Sequence, residues 1–518
     1  MFAVKLNKQG SLGKKTRRGV VWAVFREGFG ELIAFPVSMV QARLLSPEEF
    51  GIAAAAGFFT LLAERLSELG FNAAIVRAKE VQPIHLSTVF VMNLVVGILS
   101  FAALAGVAPY VAAFYNIPET ARILPVAAIA FLISPFGSVP AAILSRNLQY
   151  QASAAIDVLS TLAFFGTSVV FAWFGHSYMS LVYGRLASVV VLTVLRAYFA
   201  RWWPSLKFSS ASLRELLPYG LGTYAKRLLE YTAKQGDNLV VGKVMGVEAL
   251  GIYDKAYSTM NRFLTRMTIG PGLTFRIFAI IHEEPARFRQ AYQKVVMSAA
   301  LVAFPIFGAL MAVAPQLVVV LFGQRWLPAA LPFQFLCVAG GLKLLNQFAS
   351  SATQAVGWIW AEVWRQVVLI LLTGLGIIVF ARWGPAGAAA GVLLATFGMT
   401  ILMNVLLIRV THLSLKDLVE PLIPAVLCAV GAVGVALLTE WLVRALIPQP
   451  NPLLLLVCQA PAVGAFVAAF LLFAPLAGMR ELVREVGNDL APDVVKRQRW
   501  VRAYLAEPSS ATEQVRLS

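Results

Sequence analysis

The sequence predicts an all-α integral membrane protein, and three observations predict it. The chain has 518 residues, of which 59% are hydrophobic and 13% charged, whereas a soluble domain carries roughly 25% charged residues. Apolar runs such as "STVFVMNLVVGILSFAALAGVAPYVAAF" (Ser87–Phe114) and "GAAAGVLLATFGMTILMNVLLI" (Gly387–Ile408) recur from end to end. Each reaches the roughly 20 residues that cross a bilayer. The connections between runs are short, and none is long enough to fold as a water-facing domain.

About fourteen transmembrane helices are expected, at 19–42, 49–69, 86–108, 122–144, 151–174, 178–200, 217–240, 249–271, 293–321, 330–354, 360–381, 385–409, 418–443 and 453–476. Before them lies a basic tail, 1–18, which has no small-residue cleavage site and reads as retained. Residues 201–217, "RWWPSLKFSSASLRELL", join spans six and seven; the Trp pair and spaced leucines suit a segment lying at the interface. The tail 480–518 carries "KRQRW" (Lys496–Trp500), a match for anionic lipid or for a partner.

The net charge of +17 follows the positive-inside rule rather than nucleic-acid binding. With the N-terminus cytoplasmic, that side collects Lys5, Lys8, Lys14, Lys15, Arg17, Arg18, Arg146, Arg201, Lys207, Arg287, Arg289 and Lys416. The opposite side holds only Arg43, Arg122, Lys243, Arg325, Arg382 and Arg444. Both termini are therefore expected in the cytoplasm. The three cysteines, Cys337, Cys428 and Cys458, fall inside apolar runs, and no metal-ligand spacing or disulfide framework is present. No cofactor is expected.

Two stretches repeat one phrase at an offset of 200 residues: "RLLSPEEFGI" (Arg43–Ile52) and "KVMGVEALGI" (Lys243–Ile252). They follow spans one and seven, each a polar helix leading out, a short loop and a helix leading back. The same offset sets Arg26 opposite Lys226. Six-span halves running in the same direction imply two bundles related by an axis along the membrane normal, the plan of alternating-access transporters. The expected divisions are an N-lobe at 19–200, a C-lobe at 218–410, and two C-terminal helices within 411–479.

An ionised side chain in mid-membrane costs roughly 2.5–3.5 kcal/mol on an insertion scale. Such residues cluster in the first two helices of each half. Span one carries Arg26, Glu27 and Glu31, and span two Glu64, Arg65 and Glu68. Span seven carries Lys226, Arg227, Glu230, Lys234 and Asp237, and span eight Asp254, Lys255, Arg262 and Arg266. Asp157, Arg185, Lys343, Glu362 and Arg365 are isolated cases. These groups either pair with one another or line a wet cavity. Lys226, Glu230 and Lys234 stack on one helix face, as do Arg262 and Arg266. Cations inside a membrane suit a phosphate or pyrophosphate, for which Arg offers a bidentate fork and Lys a point charge. The substrate-binding candidates are Arg26, Arg65, Lys226, Lys234, Arg262 and Arg266. Glu31, Glu64, Glu68, Glu230 and Asp237 are the candidates for ion coupling or gating.

Six phrases in order, "RLLSPEEFGI", "ELGFNAAIVR" (Glu68–Arg77), "LSTVFVMNL" (Leu86–Leu94), "FYNIPE" (Phe114–Glu119), "DNLVVGKVMGVEALGIYDKAY" (Asp237–Tyr257) and "LFGQRWLPAALPFQFL" (Leu321–Leu336), carry a family resemblance. The chain resembles the bacterial polysaccharide-transport branch of the multidrug/oligosaccharidyl-lipid/polysaccharide exporter superfamily, the Wzx-type flippases, over residues 15–445. The resemblance implies two six-helix lobes in a V, opening alternately to cytoplasm and periplasm, in the bacterial inner membrane. It implies a cargo of undecaprenyl-pyrophosphate-linked repeat units for exopolysaccharide, capsule or O-antigen. Membrane lipids and a polysaccharide polymerase or export machinery are the implied partners. In the related lipid II flippase, arginines of the first, second and eighth helices line the cavity; Arg26, Arg65 and Arg262 or Arg266 occupy comparable helices. Two rival readings are a cation-coupled multidrug exporter on the same fold and a membrane polymerase or ligase acting on the same lipid-linked sugars.

Overall fold

Without water to bond to in the hydrocarbon layer, backbone N–H and C=O groups must pair within their own segment, so long apolar runs become helices. The computed structural model describes residues 33–67, 71–77, 81–267, 271–411 and 413–473, with side chains at 67, 72–73, 77, 215–230, 233–234, 271–273 and 359–362 left out of the description. Among the described residues, nine helical segments are long and apolar enough to span a membrane. One of them, Val363–Thr411, covers two of the expected spans. Helices α2 (Pro47–Ser67), α8 (Ser210–Met245) and α9 (Val247–Met267) are long but carry the interior charges noted above.

Two compact units are present. The first runs to Lys255 and adds Leu321–Pro328 and Ile377–Ala388; the second takes Ala256–Val320, Ala329–Gly376 and the chain from Ala389 on. In the first, α1 (Ile33–Leu44) and α2 lead to α3 (Phe71–Arg77), α4 (Pro83–Tyr115), α5 (Pro118–Arg146), α6 (Tyr150–Trp173) and α7 (Met179–Ala200). Helix α4 packs on α5, α5 on α7 and α6 on α7. Phe71, Ile75, Val89, Phe90 and Val139 form a buried cluster against which Trp202 and Leu213 pack. Trp203, Leu206 and Phe208 of the same connection stay exposed, as an interfacial segment would present them.

In the second unit lie α10 (Pro271–Ile281), α11 (Pro285–Ala312), α13 (Ala330–Ala355), α17 (Ile423–Leu446), α18 (Pro452–Phe473) and most of α14 (Ile359–Phe380) and α15 (Gly384–Thr411), whose facing ends fall in the first. Helix α12 (Ala314–Phe322) belongs to both units, and α16 (Leu415–Val419) is a short helix before α17. Met297, Ala300 and Leu301 of α11 bury against Ala425 of α17, and Ala432 and Ala436 against Val463 of α18. Exposed Leu99, Leu371, Val430 and Phe473 show the apolar outer surface expected where the surroundings are lipid.

The repeated phrase has a structural reason inside the first unit: its two copies touch. A Cβ added to Gly51 would lie 1.8 Å from the carbonyl oxygen of Val247, and one added to Gly251 1.8 Å from that of Pro47. Pro47 and Val247 stand 200 residues apart, as do Gly51 and Gly251, so the contact is its own image. Only glycine lets two helix starts approach to backbone contact. The reciprocity continues outward. A Cβ at Gly242 would meet the Tyr115 ring at 2.7 Å, and at the matching Ala42 the carbonyl accepts from Trp326 Nε1 at 2.7 Å. The phrases "FYNIPE" and "LFGQRWLP" therefore supply an aromatic to opposite members of the repeat.

Candidate functional site

Polar side chains in the described helices fall into three groups. Near the C-terminal end of α2, Glu64 accepts two hydrogen bonds from Arg185 of α7, at 3.2 and 3.0 Å. Both are partly exposed, at 36% and 47%. Arg65 and Glu64 stand within electrostatic reach of Tyr231 on α8, whose hydroxyl donates to the Phe58 carbonyl at 2.7 Å. The pairing closes a gap of 121 residues and gives Arg185, isolated in sequence, a partner. Asp157 of α6 likewise lies close to Arg196 of α7, a cation the sequence reading did not single out.

The second group sits on the hairpin made by α8 and α9. Tyr253 Oη donates to Asp237 Oδ2 at 2.7 Å. Asn238 Nδ2 donates to Asp254 Oδ1 at 2.9 Å and to Gln235 Oε1 at 3.1 Å. Asp237, Asn238 and Tyr253 are all buried. Next along, Lys255 is 6% exposed, with its Nζ 4.5 Å from the ring centres of Phe50 and Phe322 and 5.5 Å from Trp326. It also donates to the Ser38 carbonyl at 3.3 Å. An aromatic cage of this kind replaces part of the hydration that a buried ammonium loses.

The third group is cationic and belongs to the second unit. Arg262 and Arg266 lie one turn apart on α9, half-buried and exposed respectively. Lys343 of α13 donates to Tyr257 Oη at 3.4 Å and sits 4.7 Å over that ring. Arg365 of α14 is half-buried. Beyond Lys255, α9 carries no Asp or Glu, α13 carries none, and α14 carries one, Glu362. These helices therefore present cations with little acid in their own sequence, a chemistry fit for an anion.

Of the expected site residues, Arg65, Glu64, Asp237, Arg262 and Arg266 are placed as above. Arg26, Glu31 and Glu68 lie outside the described residues, and the side chains of Lys226, Glu230 and Lys234 do as well. Asn238, Tyr253 and Tyr257 were missed because neutral polar residues barely disturb hydropathy; their signal was adjacency to a charge inside a span. Cys337 and Cys428 are buried. Among the described residues, no group of three or more His, Cys, Asp or Glu is arranged to hold a metal ion.

Known proteins resemble this chain in sequence and in fold. The sequence model of the family described as "Polysaccharide biosynthesis protein" matches residues 40–331. The lipopolysaccharide biosynthesis protein WzxC of Escherichia coli is 26% identical over 409 residues, 77% of this chain and 82% of that protein. The teichuronic acid biosynthesis protein TuaB of Bacillus subtilis is 26% identical over 391 residues, 74% of this chain and 80% of that protein. The solved structure of lipid II flippase MurJ in its inward closed conformation matches with a TM-score of 0.67 at 12% identity, covering 87% of this chain and 98% of its own. An inward-facing multidrug resistance MATE family transporter of the MOP superfamily matches at 0.57 and 15% identity, covering 75% and 98%.

Proposed function

Because this chain belongs to the polysaccharide biosynthesis protein family, we propose that it is a Wzx-type flippase. It carries undecaprenyl-pyrophosphate-linked oligosaccharide repeat units across the bacterial inner membrane, for exopolysaccharide, capsule or O-antigen. The supporting observation is the cationic set Arg262, Arg266 and Lys343 on helices with no acid between Lys255 and Ala355 other than Glu283 and Glu284, which fall between α10 and α11. In this reading the chain crosses the membrane fourteen times with both termini cytoplasmic. Its lobes, 19–200 and 218–410, form a V, with two further helices within 411–479 alongside.

The proposed mechanism follows from the charges. The headgroup enters a cavity open to the cytoplasm, and the polyprenyl tail stays in lipid. Arg26, Lys226 and Arg262 hold the pyrophosphate, helped by Arg65, Lys234, Arg266 and the ring-seated Lys343. A guanidinium out of bulk water holds a phosphate oxygen more strongly than in solution, because the local dielectric is low. Closing on the cytoplasmic side then exposes the headgroup outside. With the inside negative, each net negative charge moved outward gains up to roughly 2.3 kcal/mol per 100 mV. Glu64 and Glu68 act at the cytoplasmic gate, where the pair that Arg185 makes by donating to Glu64 is one contact to be made and broken. Glu31, Glu230 and Asp237 are the acids available to couple an ion to the return step. The protein makes and breaks no covalent bond.

Sidedness of the lipid-linked unit in cells depleted of the protein tests the proposal. Intact spheroplasts are treated with an external glycan-cleaving enzyme beside lysed controls. The expected result is a repeat unit that accumulates and is protected until lysis. Appearance outside at the normal rate refutes the flippase reading, and a drug-efflux screen then tests the multidrug alternative.

A further inference from the structure

We infer that a cavity in the second unit seats an ester group of a membrane glycerophospholipid, with Asn346 and Tyr292 as its hydrogen-bond donors. The cavity encloses about 210 Å³ among α11, α13, α15 and α16. That exceeds the roughly 150 Å³ apolar cavity that admits a benzene molecule. It is room for one ester and the first methylenes of its chain.

The floor of the cavity is buried and its mouth is not. Tyr292 and Val296 of α11, Asn346 and Ala349 of α13 and Leu418 of α16 are all buried. Ile401 and Val405 of α15 and Leu415 and Val419 of α16 are 42–65% exposed. All four are aliphatic, so the mouth admits what the bilayer offers rather than what water does. Asp417 pins α16 to α11 through Arg289 and Gln293, which fixes the level of the mouth. Tyr292 lies three residues inward of Arg289 on α11, about 4.5 Å along the axis. A polar floor just inside a charged turn matches the ester layer of a bilayer, which lies between phosphates and hydrocarbon. The leaflet is the one in which α11 begins, cytoplasmic in the orientation proposed above.

The polar atoms specify the ligand. Asn404 Nδ2 donates to the Thr400 carbonyl and Thr400 Oγ1 to that of Thr396, each at 2.8 Å, so both bond back to their own helix. Asn346 is different. It is 7% exposed and lines the cavity, and its amide makes no hydrogen bond among the described residues. The hydroxyl of Tyr292, also buried, makes none either. Buried amides and hydroxyls are nearly always matched. Two idle donors in a chamber walled mostly by Val, Leu and Ile require a ligand that accepts hydrogen bonds at one end and is apolar at the other. Water meets only the first need. A carboxylate would want a cation, and among the described residues no Lys or Arg lines the cavity. An ester carbonyl on an acyl chain meets both.

The rim suits the phosphodiester that adjoins the ester. Arg409 and Lys416, both exposed, directly follow the lining residues Ile408 and Leu415; one exposed acid, Glu420, follows Val419. The two cations supply counter-charge to a lipid phosphate. A lipid seated here fastens four helices of the second unit to one another, whatever the cargo is.

The experiment uses the full chain, delipidated in detergent, and two probes. One is diacyl phosphatidylglycerol; the other is its dialkyl ether analogue, which keeps headgroup and chains but lacks both carbonyls. Apparent melting temperature is titrated with each, and native mass spectrometry counts the lipid retained. The ester lipid is expected to be retained at one per chain and to raise the melting temperature saturably. The ether lipid should bind about tenfold more weakly, the loss of two hydrogen bonds. Asn346→Leu keeps the size and removes the amide; it should cut the preference to about threefold, and adding Tyr292→Phe should abolish it. Arg409→Gln with Lys416→Gln should weaken both lipids alike and leave the preference intact. Equal affinity for the two lipids overturns the inference and marks the lipid as an adventitious annular one only. A preference that Asn346→Leu leaves undiminished overturns it too. Should Asn346→Leu not fold, the comparison of ester and ether on the unaltered protein decides. A protein without ester preference that passes the sidedness assay refutes the site and leaves the flippase reading standing.

Discussion

Replacing Gly251 with alanine should wedge the seam between the two repeat copies. The added methyl would sit 1.8 Å from the Pro47 carbonyl oxygen and 2.9 Å from the Gly51 nitrogen, and real Cβ contacts essentially never fall below 3.0 Å. No side chain can rotate away, because both obstacles are backbone at the start of a helix. The helix starts must part, and the neighbours of the seam part with them. Overpacking typically costs about 1–3 kcal/mol, and a backbone obstacle places this change near the upper end, about 3 kcal/mol. Gly51→Ala meets the Val247 carbonyl at the same 1.8 Å and should cost the same. One opened gap relieves both clashes. The double variant should therefore cost nearly what either single one does, a coupling of about 2–3 kcal/mol where independent sites would add. Apparent stability of the four proteins in detergent, followed by size-exclusion after heating, gives the cycle. Additive losses, or singles that melt with the parent, would refute the reasoning.

Lys255→Met keeps the packing but removes the charge from its ring cage; a desolvated cation–π contact is worth about 2 kcal/mol or more, so melting should fall and Trp326 emission should change. The partly exposed Glu64–Arg185 pair should contribute at most about 1 kcal/mol; Arg185→Gln should melt within a few degrees of the parent while slowing transport in the sidedness assay. Asp417, 2% exposed, accepts from Arg289 at 2.5 Å and from Gln293 at 3.2 Å and caps α16 through Ser414. Asp417→Ala should cost about 1–2 kcal/mol, because the capping bonds with Ser414 are lost while Arg289, 54% exposed, can turn to water. Arg262→Ala should abolish polymer at unchanged protein level and unchanged drug tolerance, with Arg262→Lys recovering part; normal polymer from Arg262→Ala would remove that residue from the binding set.

Hydropathy made the long helices legible, because a run such as Ser87–Phe114 has few alternatives in a bilayer. The charged helices α2, α8 and α9 were legible through the repeat rather than through apolarity. What sequence left open is pairing over distance. Nothing in the string ties Glu64 to Arg185, or Lys255 to Phe50, Phe322 and Trp326, which arrive from three separate segments. Charge was a good guide to where polar groups gather and a poor one to their duties. Lys255 reads as one more intramembrane cation, yet its head is enclosed by rings. Asp237 reads as a free acid, yet both its oxygens already accept hydrogen bonds. Asn238, with no charge to draw attention, has a buried Oδ1 that meets no hydrogen-bond donor among the described residues.

The contact of Gly51 with the second copy of the phrase has a consequence for ancestry. Each partner gives the other what it receives, which is how the two subunits of a symmetric dimer meet. A chain of half this length, carrying one copy, would find the same surface on a second molecule of itself, Gly51 against Gly51. Fusing two such chains would preserve the seam and free each side to diverge, as the lysine at 255 and the alanine at 55 already have.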